Sequence, residues 1–389
     1  MRRAVFLAVT LLLGSVAGAR AADPIKIGVL YSYTGSTATA GRTFDAALNL
    51  FTKEHGDTIA GRKVVLIRRD DTGIAPDTAK RLAQELIVQE HVDLLLGLTF
   101  TPNAIAVAGL STQARKPLFI VNAATSGIIA KAPYAVRFGF TTAQTTVPLA
   151  QWAAKSGKKT AYTMFQDYGP GIDAGAAFAQ AFTAAGGNVL GEVRIPIANA
   201  DFTAYVQRVK DAKPDVMYVF LNAGGAAQAL LKACKDAGFD RLGITVLASG
   251  DVVAENALPG LGDVADGLVT TMNYSAWHPS ALNRAFVKGF QTFEPALLPD
   301  FGAVAAYDAL NAAYRAIAAQ NGAVDPDRTI ELVRGMAFES PRGPIRVDPE
   351  TRDLVQNVYI RKTQRRQGRL ENVEFATIPM VKDPNEAAH

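Results

Sequence analysis

Ile25-Lys26-Ile27-Gly28-Val29-Leu30, followed by an amphipathic segment from about Gly41 to His55, decides the fold. A short, nearly continuous apolar run ahead of a helix-period pattern reads as a buried strand leading into a covering helix. The pair recurs: Lys63 to Ile67 precedes Pro76 to Glu90, Val92 to Leu96 precedes Asn103 to Gln113, and Pro117 to Val121 runs into a turn at Ala123 to Ser126. Pro76 at a helix start and Pro117 before a strand stand where a missing N–H is tolerated. Strands buried on both faces and separated by helices predict an α/β unit with a doubly wound parallel sheet.

A second series follows, with strands at Thr160 to Phe165, Asn188 to Pro196, Asp215 to Leu221 and Ile244 to Ala248, and helices at Gly171 to Ala185, Phe202 to Lys210 and Ala226 to Ala237. The two series repeat an architecture without repeating a sequence. Beyond Gly267 to Thr271 the pattern is mainly helical, at Ala281 to Phe293, Ala303 to Ala319 and Arg328 to Gly335. Such helices lack a sheet of their own and are expected back against the first lobe. The tail reads as a hairpin, Gly343 to Val347 and Val355 to Lys362, joined by Asp348-Pro349-Glu350-Thr351. Arg361, Lys362, Arg365 and Arg366 are expected on a solvated strand edge that resists pairing with other chains.

The chain of 389 residues, 49% hydrophobic and 20% charged, is long enough for two lobes and too apolar for a disordered class. Its charge of +4 comes mostly from one end. Met1-Arg2-Arg3, the apolar run Ala4 to Ala17 and Ala19-Arg20-Ala21 have the layout of an export signal, too short to span a bilayer. Removal after Ala21 takes away Arg2, Arg3 and Arg20, so the 40 basic residues become 37 against 36 acidic. Nucleic acid binding then has no electrostatic support. No Cys follows the cleavage site to carry a lipid.

Cys234, the sole cysteine, sits in a helical pattern and reads as a small buried hydrophobe. His55, His91, His278 and His389 have no ligand spacing, so no metal is expected. Gly169-Pro170-Gly171-Ile172-Asp173-Ala174-Gly175 departs from G-x-G-x-x-G, and no phosphate loop or G-x-S-x-G elbow occurs, so no cofactor and no catalytic residues are assigned. Asp70-Asp71, just past a strand, is expected to cap or turn the chain.

Two turns after strands remain, Thr99-Phe100-Thr101-Pro102-Asn103 and Asn122-Ala123-Ala124-Thr125-Ser126. Ligands of doubly wound folds bind at the carboxyl ends of the strands, where helices present free N–H groups. Small residues let an anion reach the backbone, and the Thr101 and Thr125 hydroxyls add donors suited to a carboxylate. Alternatively, Thr101 and Thr125 cap helices.

Together with Ile25 to Leu30, Thr34-Gly35, Gly41, Asp167-Tyr168-Gly169-Pro170-Gly171 and Ala306-Tyr307-Asp308-Ala309, these turns resemble the branched-chain amino acid type of periplasmic binding proteins, the solute-binding components of ABC transporters. The likeness extends in order along the whole mature chain. It implies the type I periplasmic binding protein fold: two Rossmann-like lobes joined by three hinge crossovers, near Phe140 to Gln144, Thr270 to Tyr274 and Ser340 to Gly343. The corresponding division is 1–21 as signal peptide, 22–141 with 272–341 as the first lobe, and 142–271 with 342–389 as the second. It further implies a periplasmic monomer, no enzyme, that hands a small ligand to an inner-membrane permease. Thr101 and Thr125 would hold the ligand carboxylate with backbone groups of Ala123 and Ala124, while Tyr168 and Asn222 would close over it from the second lobe.

Two departures bear on the ligand. Amino-acid-binding members carry a Glu after the strand that here ends Ala248-Ser249-Gly250-Asp251, where it pairs with the ammonium; this chain offers Gly250 or the shorter Asp251. An aromatic wall before Gly41 is replaced by Ala40, with Tyr33 and Phe100 supplying aromatic surface nearby. A buried ammonium without a partner is costly. An aromatic or otherwise apolar carboxylic acid is therefore expected ahead of a branched-chain amino acid. A ligand sensor presenting its closed form to a membrane receptor would use the same site.

Overall fold

The computed structural model describes residues 23–197, 201–222 and 225–385. The expected export signal lies outside these residues. Among those described, no helix is long and apolar enough to cross a membrane.

The first sheet has six strands in the order Thr58–Ile59, Arg62–Asp70, Ile25–Tyr31, Leu94–Gly97, Leu118–Ile120 and Ala135–Arg137. All pairs are parallel except the first. Its alternate side chains serve two cores. Ile25, Ile27, Val29, Leu94 and Leu96 meet the helices Ala38–His55 and Phe301–Ala318. Leu30, Leu95, Leu118 and Ile120 meet Pro76–Val88 and Thr101–Ala114 on the other face. Each such side chain, fully buried, contributes about 1.5–3 kcal/mol. The late helices Ala281–Phe290, Phe301–Ala318 and Pro326–Val333 pack here, as their lack of a sheet required.

The second sheet repeats the winding. Asn188–Ile195, Thr160–Gln166, Val216–Phe220, Thr245–Ser249 and Val269–Met272 run parallel in that order. Numbered within each lobe, both parallel sets follow the order 2-1-3-4-5. Leu354–Arg366 then adds antiparallel to Val269–Met272, and Arg369–Val381 pairs with it along nearly its whole length. Arg361 is consequently no edge guard. It is buried between strands, its Nη1 donating to the Tyr274 carbonyl at 2.7 Å and lying 3.3 Å from Glu255. Arg365 and Arg366 are exposed as expected.

The chain passes between lobes three times. Phe138 packs in the first lobe, and the helix Thr142–Lys155 that follows packs in the second. Val269–Met272 belongs to the second sheet, whereas Tyr274 packs in the first lobe. The third passage is the strand Leu354–Arg366 itself, with Leu354 in one core and Ile360 in the other. It lies later than Ser340 to Gly343 because Ile345 and Val347 still pack in the first lobe.

Side-chain amides tie the three passages together. Gln356 Nε2 donates to the Gly139 carbonyl at 2.8 Å and to Gln144 Oε1 at 3.0 Å. Gln144 Nε2 donates to the carbonyls of Leu354 and Val381, and Asn273 Nδ2 donates to Gln356 Oε1 at 3.0 Å. Gln144, Asn273 and Gln356 are all buried.

Candidate functional site

In sheets of order 2-1-3-4-5 the strand order reverses beside the first strand, and the carboxyl ends at that point are where ligands bind. The two reversal points face each other across the interlobe cleft. On the first lobe, Leu94–Gly97 must turn sharply, because a Cβ at Gly97 would lie 2.1 Å from the Leu30 carbonyl oxygen. Leu98 then takes the left-handed conformation at φ 71°, uncommon for a branched side chain and often found beside functional sites. This turn delivers Thr99 and Phe100, and Thr101 opens its helix.

That helix has no side-chain cap. Its N-terminal N–H groups are therefore available to an anion. The Thr101 hydroxyl does not cap the helix; it donates to Thr125 Oγ1 at 3.1 Å. Asn103 anchors the same turn through Asp71 Oδ2 and the Gly73 carbonyl, both at 2.8 Å. Asp70 accepts from the N–H groups of Tyr33 and Thr72, so the acidic pair shapes turns, as read from the sequence.

The second turn is held from behind by Arg137, which is fully buried. Its Nη1 donates to the carbonyls of Ala123 and Phe140, its Nη2 to that of Thr125, and its Nε lies 2.7 Å from Asp353. In a trans peptide the N–H opposes the preceding carbonyl, so pulling the Ala123 carbonyl toward Arg137 turns the Ala124 N–H away from it. A basic residue inside the apolar stretch Ala135-Val136-Arg137-Phe138 was the available sequence signal for this role.

From the second lobe come Tyr168, Pro170, Phe220, Asn222 and Asp251, each just past a strand or at its end. The Tyr168 hydroxyl donates to Asn222 Oδ1 at 2.8 Å, and Asn222 N–H donates to Gln166 Oε1 at 3.0 Å. Burial and the nearby Asp251 raise the Tyr168 phenol well above its usual range. Asp251 is itself enclosed, and burial lifts its carboxyl to about 6, against the opposing pull of Ser249 and Arg361. The lobes touch here: Ser126 N–H donates to Asp173 at 3.0 Å, and a Cβ at Gly169 would sit 2.6 Å from Thr125 Oγ1.

Between them lies a pocket lined by Thr99, Phe100, Thr101, Asn122, Ala124, Phe140, Tyr168, Pro170, Phe220, Asn222 and Asp251. It offers about 340 Å³ unfilled by protein atoms, part of it open to solvent. Phe100, Thr101, Ala124, Tyr168, Asn222 and Asp251 thus meet as the sequence suggested, with Thr125 joined through Thr101. Ala123 lies behind the turn. Tyr33 lies apart, in a separate depression with Gly41, Arg42 and Asp45, its ring edge-on to Phe44. Phe140, Phe220 and Pro170 escaped sequence reasoning because an apolar wall residue looks like core.

A larger depression, lined by Leu231, Cys234, Phe239, Thr245 and Asp263 among others, opens at the amino-terminal end of Thr245–Ser249, away from the cleft. Cys234 there is buried, which pushes its thiol up to about 12. Among the described residues no cluster of His, Cys, Asp and Glu could hold a metal ion.

Residues 24–368 match the family model described as periplasmic binding protein. The Leu/Ile/Val-binding protein homolog 6 of Brucella melitensis is 40% identical over 371 residues, 95% of each chain. A solute binding protein of an ABC transporter from Rhodopseudomonas palustris BisB5, solved with 3,4-dihydroxybenzoic acid, is 45% identical, with TM-score 0.88 over 93% of this chain and 99% of that one. Another from R. palustris, in complex with 4-hydroxybenzoate, is 40% identical, with TM-score 0.91 over 94% and 100%. Two lobes of one winding, three passages between them and a pocket at the facing reversal points agree with these likenesses, and the chain belongs to the periplasmic binding proteins, in the type I fold of ABC-transporter solute-binding proteins.

Proposed function

We propose that the chain is exported, cleaved near Ala21, and captures an aromatic carboxylate in the interlobe pocket for delivery to an inner-membrane permease. One observation carries the ligand class: a turn built to receive a carboxylate stands beside an aromatic wall. Thr101 donates to Thr125 and leaves the Thr125 hydroxyl proton, with the N–H groups of the helix N-terminus, to serve as donors once ligand enters, while Phe100, Phe140, Phe220 and Tyr168 surround the space next to them. Hydrogen bonds from backbone and hydroxyl groups to an ionised carboxylate contribute about 1.5–3 kcal/mol each. The complexes of the R. palustris relatives with hydroxylated benzoates support the same class.

Capture involves no chemistry. The open form presents the first-lobe turns, the ligand docks its carboxylate there, and the second lobe swings in about the three passages, bringing Tyr168 and Asp251 over the ring. The closed form is what the permease reads.

Asp251 favours a second reading, an amino-acid zwitterion whose ammonium it would meet, in keeping with the name of the Brucella relatives. Thermal denaturation of the mature protein against matched pairs separates the two: benzoates beside leucine, isoleucine and valine. A ligand that binds only the folded state raises stability by about 2.7 kcal/mol at a hundredfold excess over its Kd. Shifts with the benzoates alone support the aromatic acid; shifts with the amino acids alone refute it.

A further inference from the structure

The pocket contains two buried acceptors that no protein donor satisfies, one from each lobe. Asn122 Nδ2 donates to the Thr99 carbonyl at 3.1 Å, which fixes the amide's orientation and leaves Oδ1 bare. Asp251 Oδ2 is likewise buried without a donor. The neighbouring Ser249 hydroxyl pulls on the same carboxyl without coming within hydrogen-bond distance of Oδ2, and the Tyr168 hydroxyl donates to Asn222 instead. Behind Asp251 no rearrangement is easy: a Cβ at Gly250 would meet Arg361 Nη2 at 2.5 Å and the Thr271 carbonyl at 2.8 Å, so the backbone is wedged in place. A buried acceptor left without a donor costs about 1–3 kcal/mol, more when charged. A bound ligand that brings a proton donor in addition to its carboxylate removes that cost as it closes the pocket to water.

Given an aromatic acid without an amine, the reading on which this step rests, the donor can only be a hydroxyl on the ring. We infer that Asp251 is a specificity-determining residue: its Oδ2 accepts the O–H of a phenolic substituent at the 3 or 4 position, the end of the ring remote from a carboxylate held by Thr101 and Thr125 on the opposite lobe. The chain is then tuned to hydroxylated benzoates over benzoate itself. A site that hydrogen-bonds a ligand hydroxyl rejects the analogue lacking it, because its own polar group is then stranded. The upward shift of the Asp251 carboxyl under burial agrees with a group held ready for a partner not yet present.

Titration calorimetry of the mature protein tests this with benzoate, 3-hydroxybenzoate, 4-hydroxybenzoate, 4-fluorobenzoate and leucine. The wild type should bind one of the two hydroxybenzoates roughly 10- to 100-fold more tightly than benzoate or 4-fluorobenzoate, the latter of similar shape but without a donor. Asp251→Ala should erase that ratio, so that the variant binds benzoate and the hydroxybenzoates with equal affinity whatever its absolute Kd. The ligand series on the wild type decides the matter alone if the variant does not fold. Equal affinity for benzoate and both hydroxybenzoates overturns the role of Asp251 and leaves the aromatic-acid reading standing. A hydroxyl preference that persists in Asp251→Ala does the same. Binding of leucine, with no benzoate bound, overturns both.

Discussion

Gly169→Ala tests closure with a single methyl group. Gly169 opens the helix Gly169–Ala184 of the second lobe and does not use left-handed backbone, so alanine suits the position and the lobe should fold unchanged. The added Cβ, however, would stand 2.6 Å from Thr125 Oγ1 across the cleft, inside the 3.0 Å below which such contacts are essentially never seen. Ordinary contact needs about 3.4 Å, so the lobes must part by about 0.8 Å at this point or Thr125 must turn its hydroxyl away. On the proposed site, either response would remove a hydrogen bond to the ligand carboxylate, worth about 1.5–3 kcal/mol, or roughly 10- to 100-fold in Kd. Calorimetry with 4-hydroxybenzoate reads the affinity, and a melt of the unliganded protein reads the fold. The expected result is a weakened Kd with the unliganded melt within about 0.5 kcal/mol of wild type. Wild-type affinity in Gly169→Ala would show that ligand is held without the two lobes meeting at Thr125, and the reasoning would fail.

Removing the hydroxyls directly, by Thr101→Ala or Thr125→Ala, should weaken 4-hydroxybenzoate binding by a similar roughly 10- to 100-fold in calorimetry. For Asp251 the folded carboxyl titrates at about 6 and the unfolded one at its usual 3.8, so the folded state holds a proton that the unfolded state has released in between. Stability is thus lost as pH rises from about 4 to about 6, by on the order of 2–3 kcal/mol. Asp251→Asn should melt increasingly above wild type as pH rises from about 4 to about 6, with the gap level above that; a gap independent of pH refutes the burial of this group in the unliganded protein. Arg137→Met strands Asp353 and frees the carbonyls of Ala123 and Thr125, and should lower stability by about 3–5 kcal/mol in urea unfolding. Gln356→Leu leaves the Gly139 carbonyl and Asn273 Nδ2 without a partner and should cost about 2–4 kcal/mol in the same assay.

Legibility followed the strength of local pattern. Ile25–Tyr31 and Val216–Phe220 are near-continuous apolar runs, which is what a strand covered on both faces requires. Ala135–Arg137 is three residues long, and Thr142–Lys155 carries three threonines and a mid-helix proline at Pro148, so neither announced itself. Arg369–Val381 was hidden by its charges, Glu371 and Glu374, which pair with Arg369 and His278. Arg361 looked like a surface charge because Glu255, its buried partner, lies 106 residues away. The site was legible where position within the fold dictates it: Thr101, Ala124, Tyr168, Asn222 and Asp251 all follow strand ends. Tyr33 also follows a strand, but its ring turns under Ala38–His55 to pack edge-on with Tyr31 and Phe44.

The amide knot of Gln144, Asn273 and Gln356 sets how the molecule can travel. Three passages pinned at one place would leave the proposed closure a single swinging coordinate, with twist and sideways slip suppressed. None of the three side chains titrates. Acidity in the surrounding medium can therefore act on the grip, through Asp251, while the path of the swing stays the same.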